Sequence, residues 1–467
     1  MNIEQIYTGC LAQGAYYIES AGEVAIIDPL REVNQYISMA EARNATVKYI
    51  FETHFHADFV SGHLTLAEKT GAPIVYGPNA NPDFECTVAT DGQIFPLGDV
   101  SIKAIHTPGH TMESTTYLLI DADGQEHAIF TGDTLFLGDV GRPDLAQKAE
   151  DMTQEDLAAT LYDSLRNKIM PLPDHTVVYP GHGAGSACGK NMRKETTGSL
   201  GEEKRSNYAL RVDMSKEEFV KEVLDGLLPP PAYFPLNVML NKQGYKSIDE
   251  VLRAGNNGFA PAAFRQAAED AEAIVLDVRP TPEFIQGHVP GSIFIGLNGG
   301  FAPWVGALIR DIEQPILLVC SEDRLKEAVT RLARVGFDNV IGYLQGGVDA
   351  WQAAGMEIDS VNSVPATEFG DAVQEGKAVI YDVRKPGEFA GSHLEGATHT
   401  PLSRINEFLD AYEAGQPNYV HCAGGYRSVI GISILKSRDI HDLINVEGGY
   451  GAIKKLGLPQ VEPAVAH

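Results

Sequence analysis

Three side chains within five residues open the chemistry of this chain: His54, His56 and Asp58, in the stretch THFHADFVSGH from Thr53 to His63. Neutral imidazole and ionised carboxylate are ligands that suit a divalent first-row metal. Matching groups follow in three further segments: His110 in HTPGH (106–110), Asp133 in TGDT (131–134) and His182 in PGHG (180–183). One such cluster alone could be polar side chains facing water; four segments that agree point to a metal centre. Spacing by itself seats either His54 or His56 on the ion. A second chemistry lies near the C-terminal end, where Cys422 opens the run CAGGYRS. The small residues Ala423, Gly424 and Gly425, followed by Tyr426, let successive backbone N–H groups turn inward around the sulfur. Arg427 and the start of the helix behind it lower a thiol pKa and hold an anion.

The elements that must position these groups are short strands. Val47–Phe51 is a β-branched and aromatic run, Val100–Ile105 alternates, and Ala128–Phe130 and Thr176–Tyr179 are apolar runs of strand type. Each candidate ligand therefore sits where a strand breaks into a loop, the usual place for residues that do chemistry. Pro108 and Gly109 force the turn that brings His110 back. Upstream, Ala15–Ile18 and Val24–Ile27 read as two strands joined by a tight turn, and residues 33–46 and Leu64–Thr70 as helices. Downstream, Ser215 to Glu218 is a capping-box start, with Phe219, Val220, Val223 and Leu224 at helix spacing.

The order HxHxD, H, D, H resembles the metallo-β-lactamase superfamily, which implies an αββα sandwich over about the first 240 residues. One departure is informative: Phe59 stands where the superfamily's HxHxDH motif has its last histidine. In two-metal members that histidine and the preceding aspartate hold the second ion, so the resemblance here implies a single metal. The runs THFHADFVSGH, GDVGRPD (138–144) and GHGAGSACGK (181–190) look like those of the persulfide dioxygenases. Carried over by position, their iron ligands are His54, His110 and Asp133, with one Fe(II) per chain. His56, Asp58 and His182 become groups that orient ligands or meet substrate, or alternative ligands. Arg142 and Lys190 are candidates to meet a substrate anion, and Cys188 to accept a persulfide sulfur; a surface salt bridge and a small buried thiol are the plain alternatives for Arg142 and Cys188.

The second half repeats itself. IVLDVRPTPEFIQGHVPG from Ile274 recurs as VIYDVRKPGEFAGSHLEG from Val379, and each copy continues into a strand that ends in a cysteine, Cys320 or Cys422. Self-similarity of this kind indicates two α/β domains of one type. The pattern resembles rhodanese, in which the cysteine carries sulfane sulfur. The Cys422-to-Arg427 loop is one residue shorter than that of tyrosine phosphatases and suits sulfur better than phosphate. The first copy has CSEDR (320–324), whose Glu322 and Asp323 repel an incoming thiosulfate, and it reads as structural. The expected domains are 1–245, 246–358 and 359–467.

Bulk properties set the frame. A chain of 467 residues suggests two to four domains, and 63 acidic against 36 basic residues give a net charge of −27. That balance disfavours nucleic acid and anionic membranes as partners, while a local basic pocket can still take a small anion. No apolar run is long enough to span a bilayer and the first residues lack the pattern of a signal peptide, so a cytoplasmic setting is expected. Five widely spaced cysteines argue against a disulfide framework. The expectation is a persulfide dioxygenase–rhodanese fusion for sulfide detoxification. Its small-molecule partners are a persulfide, O2, thiosulfate or sulfite, and a thiol such as glutathione or coenzyme A; a homo-oligomer is compatible with the sequence. The rivals are a glyoxalase II-like thioester hydrolase and a sulfur-carrier protein that uses only the rhodanese half.

Overall fold

The computed structural model describes residues 1–145, 152–227 and 229–462. The chain divides into two compact units, one of residues 1–249 with Ala333–Gly336, the other of residues 250–332 and 337–462. The two copies of the sequence repeat both fall in the second unit.

In the first unit, one six-stranded sheet runs in chain order: β1 (Asn2–Thr8), β2 (Gln13–Ser20), β3 (Glu23–Ile27), β4 (Thr46–Phe51), β5 (Ile74–Tyr76) and β6 (Thr87–Val88). The other runs β12–β11–β10–β9–β8–β7, comprising β7 (Ile94–Leu97), β8 (Val100–His106), β9 (Thr115–Ile120), β10 (Glu126–Gly132), β11 (Val177–Pro180) and β12 (Gly198–Ser199). Strand periodicity explains why both faces of the first sheet are covered. Tyr16, Ile18, Ala25 and Ile27 join Leu97, Ile102, Tyr117 and Phe130 of the second sheet in one buried cluster. Their alternates Ala15, Tyr17, Val24 and Ile26 pack with Tyr36 and Ala40 of α1 (Asn34–Ala42). On the far side, Leu118, Ile129 and Val178 meet Ala158 and Leu161 of α2 (Gln154–Ser164) and Phe219 and Val223 of α3 (Lys216–Leu224). The layers are therefore αββα. The capping box at α3 forms as expected, with the Ser215 hydroxyl accepting from Glu218 N.

Strand direction gathers the chemistry at one edge. β3 and β4 run parallel, as do β10 and β11, while β8 and β10 both lie antiparallel to β9. The loops after β3, β4, β8, β10 and β11 carry Asp28, His54, His110, Asp133 and His182.

In the second unit, each repeat builds a parallel five-stranded sheet of the same order. The first is Gly258–Phe259, Val340–Leu344, Ile316–Val319, Ile274–Asp277 and Ile293–Phe294; the second is Asn362–Val364, Leu443–Val446, Asn418–His421, Val379–Asp382 and Thr398–His399. Each reactive-loop cysteine follows the central strand of its sheet. No helix among the described residues is long and apolar enough to cross a membrane.

Candidate metal centre and cysteine loop

His54, His110 and Asp133 converge in a buried group whose ligand atoms lie within 4.8 Å of one another. The Nε2 atoms of His54 and His110 are 3.9 and 3.5 Å from Asp133 Oδ2. That oxygen is buried without a hydrogen-bond partner, which is costly unless something else meets it. Two ligand atoms on one ion with bonds of about 2.1 Å sit roughly 3–4 Å apart, so these spacings fit a shared metal.

The outer ring nitrogens are fixed by what they touch. His110 Nδ1 lies 2.9 Å from the Arg142 carbonyl, so this nitrogen carries the proton. Thr53 Oγ1 donates to Asp28 Oδ2 at 2.9 Å and has no second proton to give. It therefore accepts from His54 Nδ1, 2.9 Å away. Both histidines then present a bare Nε2 inward, the form a metal takes. Burial holds His54 well below the usual histidine value, reinforced by the neighbouring His56. Burial would raise Asp133, but His182, His54 and His110 outweigh it and hold the carboxylate ionised, well below its usual range.

His56 is turned away from this group. Its Nε2 lies 3.1 Å from Asp28 Oδ1 and 3.4 Å from Glu52 Oε2. Burial opposes its charge, yet the two carboxylates lift it to about 10. Asp28 and Glu52 thus draw His56 toward themselves, while His54 faces Asp133. The Phe59 ring is fully buried against His56, centroids 4.3 Å apart. His182 bridges two acids: its Nδ1 is 2.8 Å from Asp133 Oδ1 and its Nε2 2.8 Å from Asp58 Oδ2. Burial lowers His182, but these carboxylates raise it well above the ordinary value.

The substrate candidates are placed unevenly. Cys188 is buried and grouped with Asp58 and His182; burial, then Asp58 and Asp133, push its thiol well up. Arg142 is 6% exposed and pairs through Nε and Nη2 with Asp144 at 2.7 Å each. Its contribution to the centre is its carbonyl on His110, a main-chain role that side-chain reading cannot reveal. The Lys190 ammonium donates to the Glu222 and Asp225 carbonyls at the end of α3. Asp28 and Thr53, which orient His54, were also missed as functional; Asp28 at the end of β3 was the available signal.

In the second repeat, Cys422 follows the strand Asn418–His421 and precedes α4 (Tyr426–Lys436). Gly425 N donates to Cys422 Sγ at 3.1 Å, and the Ser428 hydroxyl lies 3.6 Å from the same sulfur. Arg427 is held by Glu388 through two contacts of 2.6 and 2.8 Å. Behind the loop, Tyr450 N donates to Cys422 O at 2.6 Å. Gly449 has φ +54, and a Cβ there would lie 2.3 Å from that carbonyl, so only glycine serves. In the first repeat, Cys320 lines a cavity of about 400 Å³ with Glu283, Glu322 and Asp349. Burial, then Asp277, Asp323 and Glu322, push its thiol up to about 12.

Comparison with known proteins divides the chain in the same way. Residues 8–182 match the metallo-beta-lactamase superfamily, and residues 260–354 and 365–456 each match the rhodanese-like domain. The chain is 34% identical over 178 residues to the cytoplasmic hydroxyacylglutathione hydrolase of Arabidopsis thaliana, across 37% of this chain and 65% of that protein. It is 40% identical over 144 residues to the hydroxyacylglutathione hydrolase of Brucella anthropi, across 30% of this chain and 49% of that protein. The matches thus span between 49% and 65% of these relatives' length. Among solved structures, a metallo-beta-lactamase from Staphylococcus aureus is similar with a TM-score of 0.64 and 29% identity, over 74% of this chain and 98% of that one. ETHE1 from Myxococcus xanthus is similar at 30% identity with a TM-score of 0.44, over 52% of this chain and 98% of that one.

Proposed function

We propose that this chain, a metallo-β-lactamase-fold region followed by two rhodanese-like domains, is a persulfide dioxygenase with an attached sulfurtransferase. The observation that carries the reading is the donor set: two imidazoles and one carboxylate, with Phe59 where a further histidine would support a second ion. Two histidines and one carboxylate on one side of an ion are the arrangement of non-haem Fe(II) oxygen enzymes. Bound there, Fe(II) would bring O2 and a persulfide sulfur together and supply the electrons that activate oxygen.

The residues of the chain do the rest. His54, His110 and Asp133 would hold the ion, while Thr53 and the Arg142 carbonyl keep both ring tautomers ready. His182, a cation between Asp133 and Asp58, is placed to offer a proton at Nε2 to the departing thiolate. The overall change is RSS⁻ + O2 + H2O to RSH + sulfite + H⁺, so the outer sulfur is oxidised and O2 reduced. Glutathione persulfide is the type of substrate meant. In the second repeat, the Cys422 thiolate attacks the outer sulfur of thiosulfate, forming a cysteine persulfide and releasing sulfite; the reverse step consumes sulfite. One chain then raises the effective concentration of a shared intermediate.

The second reading is a thioester hydrolase, favoured by the names of the Arabidopsis and Brucella relatives. Phe59 speaks against it, because the bridged hydroxide of such enzymes needs two ions. The test is oxygen uptake with glutathione persulfide by anaerobically iron-loaded protein, beside hydrolysis of S-lactoylglutathione. Uptake that vanishes in Asp133→Ala supports the dioxygenase; hydrolysis without uptake rejects it. Cys422→Ser should lose sulfur transfer and keep uptake.

A further inference from the structure

The first repeat has a cysteine that its surroundings keep as a neutral thiol, which leaves open what that repeat does. Its contacts with the other repeat's reactive loop answer this. Tyr426 is the residue between Gly425, whose N–H meets the Cys422 sulfur, and Arg427. Its side chain leaves its own repeat: the hydroxyl donates to the Gly296 carbonyl of the first repeat at 2.9 Å. The ring packs edge-on against Phe294, with centroids 5.9 Å apart and planes at 76°. Gly299 lies against the same ring so closely that a Cβ there would be 2.3 Å from Tyr426 Cζ.

The helix behind the loop is tied down by the same partner. Ser433 of α4 accepts from Phe294 N at 2.9 Å. At the helix's last turn, the Lys436 ammonium meets Asp359 at 2.6 Å and the Ser360 carbonyl at 2.7 Å. Asp359 in turn exchanges both backbone hydrogen bonds with His288 of the first repeat. Loop and helix are thus gripped at 426, 433 and 436, three positions along one face of α4.

We propose that the first rhodanese-like repeat is the clamp of the second repeat's cysteine loop, and that Tyr426 is the positioning residue through which it acts. With its ring seated on Gly299 and its hydroxyl on Gly296, Tyr426 fixes where α4 begins. That fixes the direction of the Gly425 N–H toward the sulfur and the position of Arg427. A donor already aimed at a sulfur anion stabilises it without reorganisation. The inference rests on the sulfurtransferase reading of Cys422.

The test uses the full chain and two variants, Tyr426→Phe, which keeps the ring and loses the hydroxyl, and Gly299→Ala, a change in the other repeat that displaces the ring. Thiosulfate-to-cyanide transfer is measured beside the pH profile of Cys422 alkylation by iodoacetamide. The expected result is a fall in kcat/KM of about tenfold for Tyr426→Phe, the share of one neutral hydrogen bond, and a larger fall for Gly299→Ala. Both variants should move the alkylation profile to higher pH. Wild-type transfer with an unmoved profile in both overturns the clamp, and so does a fall in transfer with an unmoved profile. Transfer that survives Cys422→Ser would reject the reading of the loop instead, while the alkylation profile still judges the clamp.

Discussion

The Nδ1 atom of His110 stands 2.9 Å from the main-chain oxygen of Arg142, and the Arg142 N–H donates in turn to the Cys188 carbonyl at 3.0 Å. The His110 ring is thereby tied through the backbone of one residue, Arg142, to the segment that carries the buried thiol. His54 has the corresponding tie through Thr53 to Asp28.

The Thr53 tie predicts a loss that is not steric. Thr53→Val keeps the shape and removes the hydroxyl, so His54 can take the wrong tautomer. Metal affinity should fall about 10- to 100-fold, the usual effect of removing such a partner. Competition with a chromogenic chelator measures it, and unchanged affinity would remove Thr53 from the account.

Phe59 is predicted to set metal stoichiometry. Phe59→His puts an imidazole next to Asp58 in the chain and against His56. Elemental analysis should then rise from one metal per chain toward two, with thioester hydrolysis appearing. A ratio that stays at one in the folded variant would mean that another feature excludes the second ion.

Cys320 is predicted to be inert near neutrality. Its thiol is pushed up to about 12 by burial and by Asp277, Asp323 and Glu322, and only the thiolate is nucleophilic. Alkylation should therefore be negligible at neutral pH and grow about tenfold per pH unit as pH climbs toward that value. Peptide mass mapping follows it. Ready labelling of Cys320 in the folded chain at neutral pH contradicts the assignment.

The Glu388–Arg427 pair makes a pH prediction with a definite sign. Arg427 lowers Glu388 from 4.5 to about 2. A carboxylate with a depressed folded value adds stability above its unfolded value, and that stability is lost as pH falls through the folded one. Glu388→Gln should melt below wild type above pH 4.5, with the gap closing toward pH 2. A gap independent of pH in thermal melts would show that the ion pair is not its source. The group is partly exposed, so the difference should be small.

What the sequence disclosed depended on distance along the chain. Strand runs and the ligands just past them were legible, because alternation and strand-end loops are local signals. His54, His110 and Asp133 could be named, and the structure brings them together. The surroundings of His56 were not legible, since they combine Asp28, at the end of the adjoining strand β3, with Glu52, four residues back in the chain. The α3 carbonyls that meet Lys190 left no local trace, whereas Asp144, the partner of Arg142, stands two residues away in the same motif. The repeat announced two copies of a domain, yet gave no sign that Tyr426 of one would rest on Gly296 of the other.

The parallel pairing of β10 with β11 has one more implication. Asp133 and His182 are 49 positions apart, yet each stands just past the end of one of two adjoining strands. Their meeting is set by a backbone ladder, so acid and imidazole stay in touch through the sheet itself and do not depend on how many residues separate them in the chain.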